Sequence, residues 1–274
     1  MNNASGWLRK MRVTLDGGHA RYAMSLKDQN DIALNDFIGK HIQLHFTGNI
    51  QCIACDRMTK KSFNQGYCFP CAQALAACDV CIVKPEICHH HKGTCREPEW
   101  GNEHCMIGHY VYLANTTGVK VGLTRMGQLP TRWLDQGAIA ALPIFKAKTR
   151  RHAGFIEFVL TRELNDKTQW RDLLRNRQDN IDLLAIRDAM FSKFKLELKA
   201  IDHSLGVKTQ FLQQEVTEIN YPVASIPHKV ISLNPLKQPT IEGELLGIRG
   251  QYLLFEQGGL NIRKMTGHEV KFDS

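Results

Sequence analysis

The clearest chemistry in the sequence lies in Cys52-x2-Cys55 and Cys68-x2-Cys71, two knuckles separated by 12 residues. Two residues between cysteines let both thiolates turn toward one ion, and two such knuckles complete a tetrahedral four-cysteine site that suits zinc. The competing reading is four reduced cysteines buried as small hydrophobes. All nine cysteines fall between positions 52 and 105. The N-terminus, Met1 to Trp7, has no basic stretch leading into an apolar core, so it does not read as a secretory signal. In such a chain, clustered cysteines argue for metal rather than disulfides. A third knuckle, Cys78-x2-Cys81, follows, with Cys88, His89, His90, His91, Cys95, His104, Cys105 and His109 downstream. Cys88 and Cys95 are the simplest complement to Cys78 and Cys81 in a second zinc site, and His91 or Cys105 could replace either. Four cysteines per ion leave no open coordination position. Both zincs therefore read as structural, holding a segment too short to build its own core, with a catalytic zinc as the alternative.

Charge points toward an acidic partner. Lys and Arg number 35 against 27 Asp and Glu, a formal charge of +8 with a pI near 9.0. That balance favours nucleic acid, although many basic proteins simply carry a solvated lysine-rich face. Residues 117–152 hold seven Lys and Arg against one acid, Asp135. Lys120, Arg125, Lys148, Arg150 and Arg151 are the candidate nucleic-acid contacts among them. The loop between the first two knuckles, Lys60 to Tyr67, mixes basic and aromatic residues that could touch a phosphate backbone and stack on bases. Its other reading is a solvated loop with Phe63 and Tyr67 packed on the zinc site. The longest apolar runs, such as Ala138–Phe145, fall well short of the roughly 20 residues a membrane span needs, so no membrane partner and a cytoplasmic location are expected.

The elements that must hold these residues read as a mixed α+β protein. Residues 1–50 form a β-rich segment, with Val13–Leu15 and Tyr22–Leu26 flanking the turn Asp16-Gly17-Gly18, and Ile42, Leu44 and Phe46 alternating as in a half-buried strand. Residues 51–108 are the zinc-binding module. Residues 109–176 read as an α/β core, with strands at Tyr110–Ala114 and Val119–Leu123, a helix from Pro130 or Thr131, a third strand at Leu142–Phe145, and a helix from Gly154 to about Leu174. Residues 177–220 read as a helical segment around Ile181–Ile201, with Asp179 or Asn180 as its N-cap. Residues 221–274 form a proline-rich linker and a β-rich C-terminal segment, where Leu253–Phe255 and Leu260–Ile262 bracket a hairpin turn at residues 256–259.

Within the α/β core, Tyr110-Val111-Tyr112, Lys120-Val121-Gly122-Leu123-Thr124-Arg125, Arg132 and Glu157 resemble the GIY-YIG nuclease superfamily. The likeness covers about 65 residues and is closest to the divergent branch whose second motif carries Lys in place of Tyr; Trp170, thirteen residues after Glu157, fits that branch too. The resemblance implies a Mg²⁺-dependent phosphodiester hydrolase in which Tyr112 helps activate water, Arg132 contacts the phosphate and Glu157 holds one Mg²⁺. One carboxylate with several waters suits Mg²⁺, which dehydrates reluctantly. Two departures stand out: Tyr110 replaces the glycine of the first motif, and Lys120 the tyrosine of the second. Over nearly its whole length the chain also resembles an uncharacterised bacterial family, a domain of unknown function. That likeness is carried by the knuckles around Lys60–Tyr67, by Cys95-Arg96-Glu97-Pro98-Glu99-Trp100-Gly101 and by Val111-Tyr112-Leu113-Ala114-Asn115.

The expected architecture is therefore α+β: a zinc-ribbon-like two-zinc module followed by a GIY-YIG-like α/β core, framed by β-rich N- and C-terminal segments. The expected function is nucleic-acid binding, DNA or RNA, with metal-dependent cleavage as its enzymatic extension. The alternatives are a non-catalytic nucleic-acid-binding module and a protein adaptor.

Overall fold

The computed structural model describes residues 3–164, 169–176 and 180–274. The chain begins with β1 (Ala4–Trp7), β2 (Arg12–Asp16), β3 (His19–Met24), β4 (Ile32–Ala33) and the long β5 (His41–Ile50). The cysteine-rich stretch holds only two short α-helices, α1 (Phe69–Ala74) and α2 (Pro98–His104), joined by single 3₁₀ turns. Next come β6 (His109–Asn115), β7 (Val119–Arg125), α3 (Thr131–Asp135), β8 (Ala140–Ala147), α4 (Arg150–Leu160) and α5 (Trp170–Leu174). Two longer helices, α6 (Leu183–Lys193) and α7 (Lys195–Leu205), lead to β9 (Gln210–Phe211) and β10 (Thr217–Glu218). The chain closes with β11 (Thr240–Glu244), β12 (Gly247–Arg249), β13 (Tyr252–Phe255), β14 (Gly258–Asn261) and β15 (His268–Asp273).

The two ends of the chain build one antiparallel sheet, in the order β1-β15-β5-β11. Ile42, Leu44 and Phe46 of β5 alternate into its buried face, as period-two patterning requires. The hairpin around Asp16-Gly17-Gly18 is formed by β2 and β3, and Gly17 and Gly18 take positive φ in the turn. At the C-terminal hairpin of β13 and β14, Gly258 and Gly259 belong to the second strand rather than to the turn. A Cβ on Gly258 would lie 2.5 Å from the Ile231 carbonyl oxygen, because the 231–233 segment runs beside that strand.

A second antiparallel sheet, β10-β8-β6-β7 with β9 also on β8, forms the middle of the molecule. Its strands send alternate residues into two cores. Val111, Leu113, Val121, Leu123 and Ile144 meet α4, α6 and α7 on one face. Tyr112, Ala114 and Ala141 meet Trp133 and Leu134 of α3 and the terminal sheets on the other.

The single helix expected over residues 154–174 is two. α4 starts earlier, at Arg150, where Thr149 caps it by accepting the His152 N–H, and it ends at Leu160. α5 is a separate turn, and residues 165–168 of the expected helix lie outside the described residues. The helix expected around Ile181–Ile201 also divides, at Phe194, whose φ of −100° and ψ of 12° leave the helical region. That break lets Leu183 and Met190 of α6 and Leu198 of α7 all reach the same core as Phe194. Its cap is Asp182, which accepts the N–H groups of Leu184 and Ala185 at 3.0 Å; Asn180 does not serve, and Asp179 lies outside the described residues.

Candidate metal centre and adjoining cleft

The first two knuckles converge. The four thiols of Cys52, Cys55, Cys68 and Cys71 lie within 4.8 Å of one another, and Cys55 and Cys68 sulfurs are 3.7 Å apart. A tetrahedral ion with metal–sulfur bonds of about 2.3 Å spaces its sulfurs about 3.8 Å apart, so the set fits a metal ion and is consistent with zinc. Local turns bring this about. Cys52 directly follows β5, and the chain reverses through Asp56, whose N–H donates to the Cys52 carbonyl and whose φ is +59°. Phe63 and Tyr67 exchange N–H···O bonds across a tight turn in which Asn64, Gln65 and Gly66 all take positive φ. A Cβ on Gly66 would stand 2.8 Å from the Ile53 side chain, so glycine lets the two knuckles close on each other. Cys68 then enters α1 and donates its N–H to the Cys52 sulfur at 3.3 Å, and Cys71 lies one helical turn later.

The same geometry divides the protons unequally. Burial raises the Cys52 thiol, but N–H donors from Cys68, Ala54 and Cys55 outweigh it and bring Cys52 down to about 6. Burial and the surrounding sulfurs push Cys71 up to about 12. A bound cation removes the conflict by favouring the thiolate at every position.

The third knuckle does not act as a pair. Cys78 faces a cleft beside Asn64 and Arg96, whereas Cys81 turns inward with Cys88, Cys95 and Cys105 onto a separate small cavity. Asp79, Cys81 and His89 also form a close group. The Asp79 carboxylate already accepts the Cys81 N–H at 3.1 Å and Arg96 Nε at 2.7 Å, with His89 Nε2 at 3.6 Å. His91 is exposed on the turn at residues 90–92, and His109 is buried at the start of β6.

Between the cysteine-rich stretch and the edge strand β7 runs a cleft of about 990 Å³. One wall carries Asn64, Gln65 and Tyr67 of the knuckle loop and residues 77–80, 82 and 83; the other carries Thr124 and Arg125 of β7, Arg132 of α3, and Arg150 and Glu157 of α4. Phe63 of the knuckle loop packs against Phe69, with ring centroids 5.4 Å apart and planes tilted by 56°. Gly154 permits the two walls to meet: a Cβ there would lie 2.6 Å from the Glu86 nitrogen and 2.8 Å from Pro85.

Six cations, Lys10, Arg96, Arg125, Arg132, Arg150 and Arg263, face three acids, Asp79, Asp135 and Glu157, around this cleft. Several already have structural work. Lys10 pairs with Asp135 at 2.5 Å, Arg96 pairs with Asp79, Arg263 donates to Gln65 at 2.6 Å, and Arg150 donates to the Ile82 carbonyl at 2.6 Å. Arg125 and Arg132 make no ion pair among the described residues. Lys10 and Arg263 escaped the sequence reading because they arrive from distant stretches with no motif of their own, and Arg96 entered it only as part of the Cys95–Gly101 string.

The other sequence candidates are distributed as follows. Tyr112 is completely buried beneath the cleft, its hydroxyl donating to Gln136 at 3.1 Å and packing over Gly122, where no Cβ would fit. Burial raises its phenol, opposed by the charge and hydrogen bond of Arg132 and supported by Glu157, so all three groups lie within electrostatic reach. Arg150 feels both Arg132 and Glu157 as well. Lys120 is buried on β7, Lys148 is exposed just before α4, and Arg151 lies over the Phe155 ring with 5.2 Å to its centroid. These three do not line the cleft.

The chain belongs to the family described as protein of unknown function (DUF2797), which matches residues 39–270. No curated protein and no solved structure matches it. The family string from Cys95 to Gly101 has a physical reading in this fold. Arg96 donates to the carbonyls of Ala72 and Leu75 at the end of α1, Glu97 accepts the Ala76 N–H at 2.7 Å, and Gly101 gives His90 and Cys95 room. Among the described residues no helix is long and apolar enough to cross a membrane.

Proposed function

We propose that this family member binds nucleic acid in the cleft beside β7 and hydrolyses a phosphodiester there with a divalent cation held by Glu157. The observation that carries the reading is the convergence of Arg132, Arg150 and Glu157 on one roomy basic cleft, with Arg132 and Glu157 at the positions where the GIY-YIG resemblance puts its phosphate and metal contacts. A cleft with one sign of charge in excess concentrates a polyanion. Arg132 binds a phosphate oxygen and neutralises charge that grows as the bond breaks. Arg125 extends the phosphate track along the edge strand. Tyr67, Asn64 and Gln65 on the facing wall offer one aromatic surface and two amides to exposed bases.

Glu157 fits a Mg²⁺ ion. It is a half-buried carboxylate on the wall of a cleft with space for several waters. When bound, such an ion supplies a Lewis acid for the departing oxygen. Tyr112 is assigned to position Arg132 and Gln136 from below, because a wholly buried phenol pushed upward by its surroundings is a poor acceptor for a water proton. That burial also favours a second reading, a binder that does not cut. The metal-binding knuckles are structural in both readings, and zinc is their proposed ion.

Fluorescence titrations with single- and double-stranded DNA and RNA at several salt concentrations test the binding. Affinity falls steeply with salt for charge-driven binding, and Arg132→Ala lowers the slope of log affinity against log salt by about one. Salt-independent affinity, or an unchanged slope in the variant, contradicts the placement.

A further inference from the structure

Cys81, Cys88, Cys95 and Cys105 line one small cavity, their thiols spaced more widely than the four of the first site. They come from four separate pieces of chain: the 3₁₀ turn at residues 80–82, the end of the turn at 85–87, the irregular link before α2, and the C-terminal cap of α2. The cavity they line measures about 10 Å³, the room for a single small ion. Cys81, Cys88 and Cys105 are buried, Cys95 is half-buried, and none forms a disulfide. Gly101 has a reason here. A Cβ at that position would come within 3.3 Å of the Cys95 sulfur and 2.7 Å of the His90 ring, closing the cavity.

From this arrangement we infer a second metal site with ligands Cys81, Cys88, Cys95 and Cys105, a four-thiolate set for a soft or borderline divalent cation such as zinc. Cys78, despite its CxxC spacing, is not a ligand. It faces the cleft on the far side of Asp79, and the nine cysteines then divide into two sets of four and one unliganded thiol. Asp79 and His89 also line the cavity, within 4.8 Å of the Cys81 sulfur, but each is engaged by other groups. Asp79 fixes the Cys81 turn by accepting its N–H and is itself held by Arg96, and His89 Nδ1 is hydrogen-bonded to Thr94 Oγ1 at 2.8 Å. Such outer partners fix the orientation of ligands without joining them. The site clamps the turn that α4 receives at Gly154, so it holds the cleft wall in place whatever the cleft binds.

Metal counting on the full chain tests this inference apart from any activity. Elemental analysis of protein loaded with zinc is expected to give two ions per chain, two in Cys78→Ser and in His89→Ala, and one in Cys88→Ser and in Cys105→Ser. Should a ligand variant fail to fold, cobalt titration of the apo wild type and of Cys78→Ser replaces it. Two equivalents filling thiolate-to-cobalt charge-transfer bands are expected in each. Alkylation of the loaded wild type is expected to label Cys78 and spare Cys95 until a chelator is added. One ion per chain, loss of an ion in Cys78→Ser or in His89→Ala, or labelling of Cys95 in the loaded protein would overturn the assignment.

Discussion

Glu157, Arg132 and Tyr112 come from a helix, a second helix and a strand, yet Arg132 and Glu157 both act electrostatically on the Tyr112 phenol. Glu157 is half-buried on α4, between the buried Ile156 and the exposed Phe158. What spacing could not reveal was depth: Tyr112 shares its strand with the residues of two cores, and only the sheet's two coverings decide that its hydroxyl ends inside. His109 gives this scale its stability test. Burial, joined by Arg150 and Arg125 and opposed by the Ile107 carbonyl, brings its imidazole from 6.5 down to about 4. The folded state therefore keeps it neutral, and its stabilisation is complete above pH 6.5. As pH falls from 6.5 toward 4 the unfolded chain takes the proton first, at a cost of up to about 3 kcal/mol. Denaturant melts across that range are expected to be less steep with pH in His109→Gln than in the wild type. Equal slopes would contradict a buried neutral histidine.

At the scale of elements, the docking of the 85–87 turn on α4 joins the cysteine-rich stretch to the sheet. Alanine in the middle of a helix ordinarily stabilises it over glycine by up to about 1 kcal/mol. At Gly154 the added carbon would meet backbone at 2.6 and 2.8 Å, and such overpacking costs about 1–3 kcal/mol. The clash outweighs the propensity, so Gly154→Ala is expected to lower the melting temperature; a rise would show that the turn is not seated there. Strands and hairpins were the legible elements, because alternation in β5 and the Gly pair at residues 17 and 18 carry their own signals. The helix ends were not. The division at Phe194 follows from where the core lies, and a helical pattern that continues through it gives no sign of the change. CxxC spacing marked the first four cysteines, which converge, but gave no sign that Cys78 and Cys81 would line different cavities, with the 3₁₀ turn at residues 80–82 beginning between them.

The whole molecule is an α+β assembly in which both chain ends share one sheet and the cleft draws on widely separated segments. Lys10 reaches it from the β1–β2 link and Arg263 from the turn after β14, where Gln65 of the knuckle loop accepts its Nε–H. The four-cysteine cluster sits beside the knuckle loop that lines one wall of this cleft. Stripping the structural metal with a thiol-specific mercurial and a chelator is expected to lower nucleic-acid affinity at fixed salt at least tenfold, with recovery on adding zinc but not magnesium. Affinity unaffected by stripping would separate the knuckles from the binding surface.

The most direct measurement is cleavage of labelled single- and double-stranded DNA and RNA with Mg²⁺ or Mn²⁺, comparing the wild type with Glu157→Gln. The expected result is cutting that requires the divalent cation and falls at least a hundredfold in the variant, which still binds with wild-type affinity. Binding without cutting in either protein would contradict the hydrolase and leave the cleft as a nucleic-acid-binding surface. Cutting that survives in Glu157→Gln would place the cation on another residue.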